Sequence, residues 1–261
     1  MPFADLADAR INYRFDGADD APLLMLSNSL GTNLSMWDAQ MPALIREHRV
    51  LRYDGRGHGQ SEATEGPYAI DALGRDVLAL LDMLGMERVQ FCGLSMGGMV
   101  GQWLGVHAPQ RISRLVLCNT AARIGTPEIW NARIETVNKG GMAAIVDGVV
   151  ARWYTERFRA SAPGAIEATR QMLLTTPAKG YVASCAAVRD MDQRESISRI
   201  ATPTLVISGA HDPVTTPSDC RFLVERIGGA RYVELDAAHL SNVEAPAAFT
   251  SALTAFLAQP H

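Results

Sequence analysis

The sequence predicts an α/β fold: a mostly parallel central sheet flanked by helices, with a block of helices inserted between two of its strands. Three observations predict it. Short apolar runs rich in β-branched residues begin at Pro22, Arg49, Arg88, Arg114, Thr202 and Ala230. Residues spaced at helical intervals separate several of these runs. Between about Arg123 and Arg194 the strand pattern stops and the chain reads as helical throughout.

Taken in order, the segment Asp8-Ala9-Arg10-Ile11-Asn12-Tyr13-Arg14-Phe15-Asp16-Gly17 suits an antiparallel hairpin at one sheet edge, a common feature of mixed sheets. PLLMLSN from Pro22 and RVLRYD from Arg49 are nearly continuous in apolar residues, as strands buried on both faces are. Leu73, Val77, Leu81 and Leu84 then recur every three or four residues and stop at Gly85, which predicts a helix with one buried stripe and a glycine C-cap. RVQFCGLS from Arg88 and RLVLCNT from Arg114 are the next two strands. Thr126-Pro127-Glu128 opens the helical block with a Thr N-cap, Pro at the first helical position and an acid in the first turn. Breakers at Lys139-Gly140-Gly141, Ser161-Ala162-Pro163-Gly164 and Thr176-Pro177 divide it into about four helices. Strand sequence returns in TPTLVISG from Thr202 and ARYVELD from Ala230. The expected organisation is a core of residues 1–122 and 195–261 with a helical cap, or lid, of 123–194 inserted between two strands. A chain of 261 residues accommodates one large core and such an insertion.

Composition excludes several classes. Apolar residues make up 48% and charged residues 20%, the balance of a globular protein rather than a disordered or membrane chain. A net charge of −4 argues against a nucleic-acid partner, which needs clustered Lys and Arg. MPFADLADARINYRF is acidic from its start and lacks an apolar signal segment, and no later run is long enough to span a bilayer. A cytoplasmic protein with no membrane partner is therefore expected. Cys92, Cys118, Cys185 and Cys220 lie far apart with no CxxC and no His at ligand spacing, so buried free thiols are expected rather than zinc or disulfides. Oligomeric state is left open, a homo-oligomer included.

The chemistry concentrates at Gly93-Leu94-Ser95-Met96-Gly97-Gly98, a G-x-S-x-G motif that follows a strand run and precedes a helical one. A serine in this spacing sits on a strained turn, and the two glycines remove side chains that would strike the neighbouring strand and helix. The turn also places the Met96 N–H at a helix N-terminus, where it can face a developing oxyanion. The Leu30 N–H, in the loop Ser27-Asn28-Ser29-Leu30-Gly31-Thr32, is the expected second donor, and Asn28 is suited to ordering that loop.

A serine hydroxyl needs a base, and the base needs an acid to fix its tautomer. His239 in Asp236-Ala237-Ala238-His239 and Asp212 in Gly209-Ala210-His211-Asp212-Pro213 each follow a strand run, which brings them to the carboxyl edge of the sheet with Ser95. The other histidines fit less well. His58 lies in a glycine-rich turn suited to a structural role. Surface positions suffice for His48, His107 and the terminal His261. His211 points away from the side taken by its neighbour Asp212. Gly98, Gly101 and Gly105 fall along the helix after the serine and permit close approach to a strand.

Over nearly its whole length the sequence resembles the α/β-hydrolases, on GLSMGG, DGRGHGQS, the GAHD acid and the AAHLSNVEAP histidine, in the chain order Ser, Asp, His. More closely, LSNSLGTNLSMWDAQMPAL with YDGRGHGQS and FCGLSMGGMVGQWLG is similar to the 3-oxoadipate enol-lactonases of bacterial aromatic catabolism. Most α/β-hydrolases have His-Gly where this chain has Asn28-Ser29, and the enol-lactonases share the Asn-Ser form. The resemblance implies Ser95 as nucleophile, Asp212 and His239 as its partners, and the backbones of Leu30 and Met96 as the oxyanion hole. It also implies a small enol-lactone carrying a free carboxylate as substrate, opened to 3-oxoadipate with no metal or organic cofactor.

Such an anion wants a cationic anchor. Trp130 and Arg133 are three apart on the first cap helix and share a face, and Arg152 and Trp153 lie further along. Trp130, Arg133 and Trp153 are the expected substrate contacts. A carboxylesterase or a carbon–carbon bond hydrolase could use the same triad, since the elbow sets the mechanism and the cap the substrate. Ser95 excludes the carboxylate nucleophile of dehalogenases and epoxide hydrolases. A hydrolase-derived binding protein would need the pocket but not the triad.

Overall fold

The computed structural model describes residues 2–259, so His261 lies outside the described residues. The opening segment is the expected antiparallel hairpin, β1 (Phe3–Asp5) with β2 (Arg10–Asp16). The six apolar runs follow as β3 (Leu23–Ser27), β4 (Arg49–Tyr53), β5 (Val89–Leu94), β6 (Ile112–Cys118), β7 (Thr204–Gly209) and β8 (Arg231–Leu235). Their order in the sheet is β1-β2-β4-β3-β5-β6-β7-β8, with β2 antiparallel to β4 and every pairing from β4 to β8 parallel. Burial accounts for the runs. All residues of the interior strand β7 are buried, whereas β8 at the edge buries only Leu235 fully and tolerates Arg231 and Glu234.

Three helices precede the cap: α1 (Met41–Leu44), α2 (Ile70–Met83) and α3 (Met96–His107). The end of α2 is a Schellman turn, with Gly85 at φ +67°, Met86 N–H on Leu81 O at 2.8 Å and Gly85 N–H on Asp82 O at 3.1 Å. Helix α3 lies close on the sheet because it is glycine-rich on that side. A Cβ on Gly101 would stand 3.0 Å from the Phe91 ring of β5 and 3.1 Å from Leu115 of β6.

Between β6 and β7 lie α4 (Pro127–Gly140), α5 (Val146–Trp153), α6 (Glu156–Ser161), α7 (Pro163–Thr175) and α8 (Ala178–Asp190). Pro127 occupies the first turn of α4 as expected, but the Thr126 side chain makes no N-cap hydrogen bond. The three breakers all separate helices. A fourth break, between α5 and α6, was not expected because it uses neither Gly nor Pro. There Tyr154 turns extended and Thr155 caps α6, its hydroxyl accepting from Phe158 N–H at 3.2 Å. The cap thus has five helices, with α4 packed on α8 and α5 on α7. The core resumes with α9 (Pro217–Arg226), α10 (Ser241–Glu244) and α11 (Pro246–Leu257).

One histidine is not where expected. His48 is buried at 4% exposure rather than on the surface. It sits at the entrance to β4, where the β2–β3 turn packs so closely that a Cβ on Gly17 would stand 2.2 Å from His48 O. The turn meets only the His48 backbone; the ring faces Gln90 of β5, and burial lowers its pKa. His107 is exposed and stacks on Trp103 with ring centroids 4.8 Å apart. The four cysteines are free and buried. No helix among the described residues is long and apolar enough to cross a membrane.

Candidate active site

Ser95 stands between β5 and α3 at φ +56°, a left-handed conformation costly for a residue with a Cβ, on the order of 1–3 kcal/mol. Neighbouring backbone holds it there. Ser95 N–H donates to Cys118 O at 2.9 Å, Thr120 Oγ1 donates to Ser95 O at 2.8 Å, and Gly97 N–H donates to Asn28 O at 3.0 Å. The glycines are required by space: a Cβ on Gly93 would lie 2.1 Å from Gly97 O, and one on Gly97 would lie 2.3 Å from Ser27 O. Gly97→Ala is expected to destabilise the protein by about 1–3 kcal/mol through this overpacking, read as a lower urea midpoint at unchanged slope.

Asp212, in the loop after β7, is buried and accepts hydrogen bonds on both oxygens. Oδ1 takes the N–H groups of Val214 and Thr215 at 2.7 and 3.1 Å. Oδ2 takes Thr215 Oγ1 at 2.7 Å, Asn119 Nδ2 at 3.0 Å and His239 Nδ1 at 2.8 Å. Burial pushes this carboxyl up, but the His239 charge and the hydrogen bonds from His239, Asn119 and Thr215 outweigh it, leaving the pKa below its ordinary value. With Nδ1 committed to a carboxylate, the Nε2 of a neutral His239 carries the lone pair and can accept a proton. His211, by contrast, turns outward to Asp236, with Nε2 2.7 Å from Oδ1. His58 is buried, its Nδ1 on Arg56 O at 3.1 Å, as suits a structural loop.

Ser95 and His239 open onto one cavity of about 340 Å³, shared with Leu30 and Met96. Met96 is the first residue of α3, so its N–H has no helical acceptor, and Leu30 N–H has no protein acceptor among the described residues. Asn28 orders the Leu30 loop: Nδ2 donates to Tyr53 O at 2.8 Å and Oδ1 accepts Trp37 Nε1–H at 2.9 Å.

The cap supplies the opposite wall, including Trp130, Arg133, Trp153 and Tyr181. The Trp153 ring centroid is 6.1 Å from that of His239. Arg133 stacks on Trp130 at 5.1 Å and has Tyr181 Oη at 3.5 Å, and among the described residues it has no carboxylate partner. Arg152 is off the cavity wall and exposed. Partial shielding of its guanidinium and then the Arg133 charge lower its pKa.

A sequence model of the family described as the alpha/beta hydrolase fold matches residues 22–246. The chain belongs to the α/β-hydrolase family. It is 44% identical to 3-oxoadipate enol-lactonase 2 of Acinetobacter baylyi, over 96% of this chain and 94% of that one. Among solved structures it is similar to the enol-lactonase from Burkholderia xenovorans LB400, with 47% identity, a TM-score of 0.98 and coverage of 99% of this chain and 100% of that one. A hydrolase from Pseudomonas aeruginosa PA01 matches with 50% identity, a TM-score of 0.96 and coverage of 99% and 98%.

Several residues of this α/β-hydrolase site were not singled out from the sequence. Asn119 follows β6 at φ +42°, fully buried, with Nδ2 on both Asp212 Oδ2 and Ala238 O and Oδ1 accepting from Ser241 Oγ at 2.5 Å. Its signal was available: a polar residue at the carboxyl end of a buried parallel strand, the same signal that located Asp212. Thr215, three residues past Asp212, donates to the carboxylate and has Oγ1 3.3 Å from His239 Nδ1.

Proposed function

We propose that this α/β-hydrolase opens 3-oxoadipate enol-lactone, a small lactone bearing a free carboxylate, to 3-oxoadipate. The observation that carries the reading is a guanidinium with no carboxylate partner among the described residues, Arg133, on the wall of the cavity that holds Ser95 and His239, in a chain similar along its length to proteins named enol-lactonases.

In this reading Ser95 Oγ attacks the ring carbonyl while His239 Nε2 takes its proton, and Leu30 and Met96 N–H bind the developing oxyanion. The enol oxygen leaves, takes the proton from His239, and the enol becomes the ketone. Water then attacks the acyl-enzyme, His239 accepts its proton, and Ser95 is released with that proton. Asp212 holds the His239 tautomer throughout. Arg133 pairs with the substrate carboxylate, and Trp130 and Trp153 pack against the ring. The four free thiols support a reducing, cytoplasmic location.

The test is relative turnover. Catalytic efficiency on the enol-lactone should exceed that on p-nitrophenyl acetate by about 100-fold or more. Comparable efficiency on both would instead make the protein a general carboxylesterase. Arg133→Ala should raise KM by about 10–100-fold, the loss of a charge-assisted pair, with kcat changed only a few-fold. Steady-state kinetics of Arg133→Ala beside Arg152→Ala checks this, since only Arg133 lines the cavity.

A further inference from the structure

The loop that carries His239 is fastened to the cap on both sides of the histidine. On one side, Ala238 N–H donates to Glu244 Oε2 at 2.9 Å. Glu244, half-buried at the end of α10, reaches the cap with its other oxygen, Oε1, which accepts the Thr155 hydroxyl. Thr155 N–H also faces this carboxylate, 3.3 Å from each oxygen. On the other side, Leu240 N–H donates to Trp153 O at 3.1 Å. The two backbone donors flanking His239 are therefore held by a cap carbonyl and by a carboxylate that the cap shares. Trp153, the last residue of α5, and Thr155 flank Tyr154 at the extended break between α5 and α6, and Trp153 also lines the cavity beside His239. An exposed pair, Arg157 Nη2 with Asp236 Oδ2 at 2.9 Å, joins the same two segments, but pairs so exposed contribute little.

We propose that Glu244, bridged to Thr155, is a positioning residue for His239, through which the cap sets the placement of the base over Ser95. The proposal rests on His239 being the base. A carboxylate is suited to the task because it accepts from both segments at once, and charge-assisted hydrogen bonds are the stronger kind. Small displacements of a base are costly in rate, whereas ground-state substrate contacts made elsewhere on the cavity wall are untouched. A device of this kind therefore acts on kcat.

Glu244→Ala is expected to lower kcat by about 30-fold with KM within about two-fold, in the range that misplacement of a catalytic group produces. The rate at which a fluorophosphonate labels Ser95 should fall in parallel, since labelling also needs the base. Glu244→Gln should recover most of kcat, because its amide oxygen still accepts Ala238 N–H and its NH₂ can donate to the Thr155 hydroxyl. Thr155→Val, which acts from the cap, should lower kcat by about five-fold, and the double variant should be no worse than Glu244→Ala alone, as residues in one network are not additive. A Glu244→Ala enzyme with normal kcat well below its Tm, whatever its loss of stability, overturns the proposal. So do additive effects of the two substitutions, or a Gln variant as slow as Ala. Should Glu244→Ala fail to fold, an unchanged kcat in Thr155→Val is decisive against it. If Asp212→Asn is inactive while these variants are normal, only the positioning role fails; if Asp212→Asn is fully active, the acyl-transfer reading fails with it.

Discussion

Ser95→Ala is expected to lower kcat on the enol-lactone by about a million-fold, because without Oγ no acyl-enzyme forms and only binding and the oxyanion donors remain. The fold should survive. The hydrogen bonds that hold the elbow, to Cys118 O and from Thr120 Oγ1, are made by the Ser95 backbone, and alanine keeps the same Cβ at φ +56°. Circular dichroism and the urea midpoint should match those of the unaltered protein, and fluorophosphonate labelling should vanish. Residual turnover above about one per cent would assign the nucleophile elsewhere.

Asp212→Asn is expected to lower kcat by about 10⁴-fold, with KM little changed. Both Asp212 oxygens face donors: two backbone N–H groups on one, and Asn119, Thr215 and His239 on the other. An amide cannot accept on both sides. Turning its NH₂ toward His239 forces the tautomer whose Nε2 already carries the proton, and that ring cannot take one from Ser95. The same substitution has a pH signature. Since the folded-state pKa of Asp212 is depressed, its contribution to stability is present above the unfolded carboxylate value of about 3.9 and is lost as pH falls through the lower folded value. Urea unfolding between neutral pH and pH 3 should show the stability gap between the native protein and Asp212→Asn narrowing at the acid end. A gap constant over that range would mean that the Asp212 pKa is the same in the folded and unfolded states.

The legible parts of the site are those whose partners are close in sequence or that obey the parallel-sheet rule. Gly93, Ser95 and Gly97 lie within one turn, so the steric need for two glycines is written in their spacing. Asp212 and His239 come together beside the Ser95 cavity because the carboxyl ends of parallel strands converge, and that convergence follows from the strand pattern. Asn119 obeyed the same rule and was passed over because asparagine is not itself an acid or a base. Its side-chain partners Asp212, Ala238 and Ser241 stand 93, 119 and 122 residues away. Glu244 and Thr155, 89 residues apart, meet only because the cap folds back over the last strand loop. The break between α5 and α6 eluded the breaker rule since a threonine cap and an extended tyrosine make it without Gly or Pro. His48 differs from its expected surface position for a related reason: its ring faces Gln90 of β5, 42 residues later in the chain.

Sequence alone determined the sheet, the elbow and the serine at its tip, because each depends on periodicity or on spacing within a few residues, where local sterics decide. Tertiary structure decided which polar groups surround the Asp212 carboxylate, which guanidinium reaches the cavity and how the cap grips the histidine loop. Those are contacts between surfaces brought together by burial of the core, and a pairing across a hundred residues leaves no mark in the local pattern of either partner.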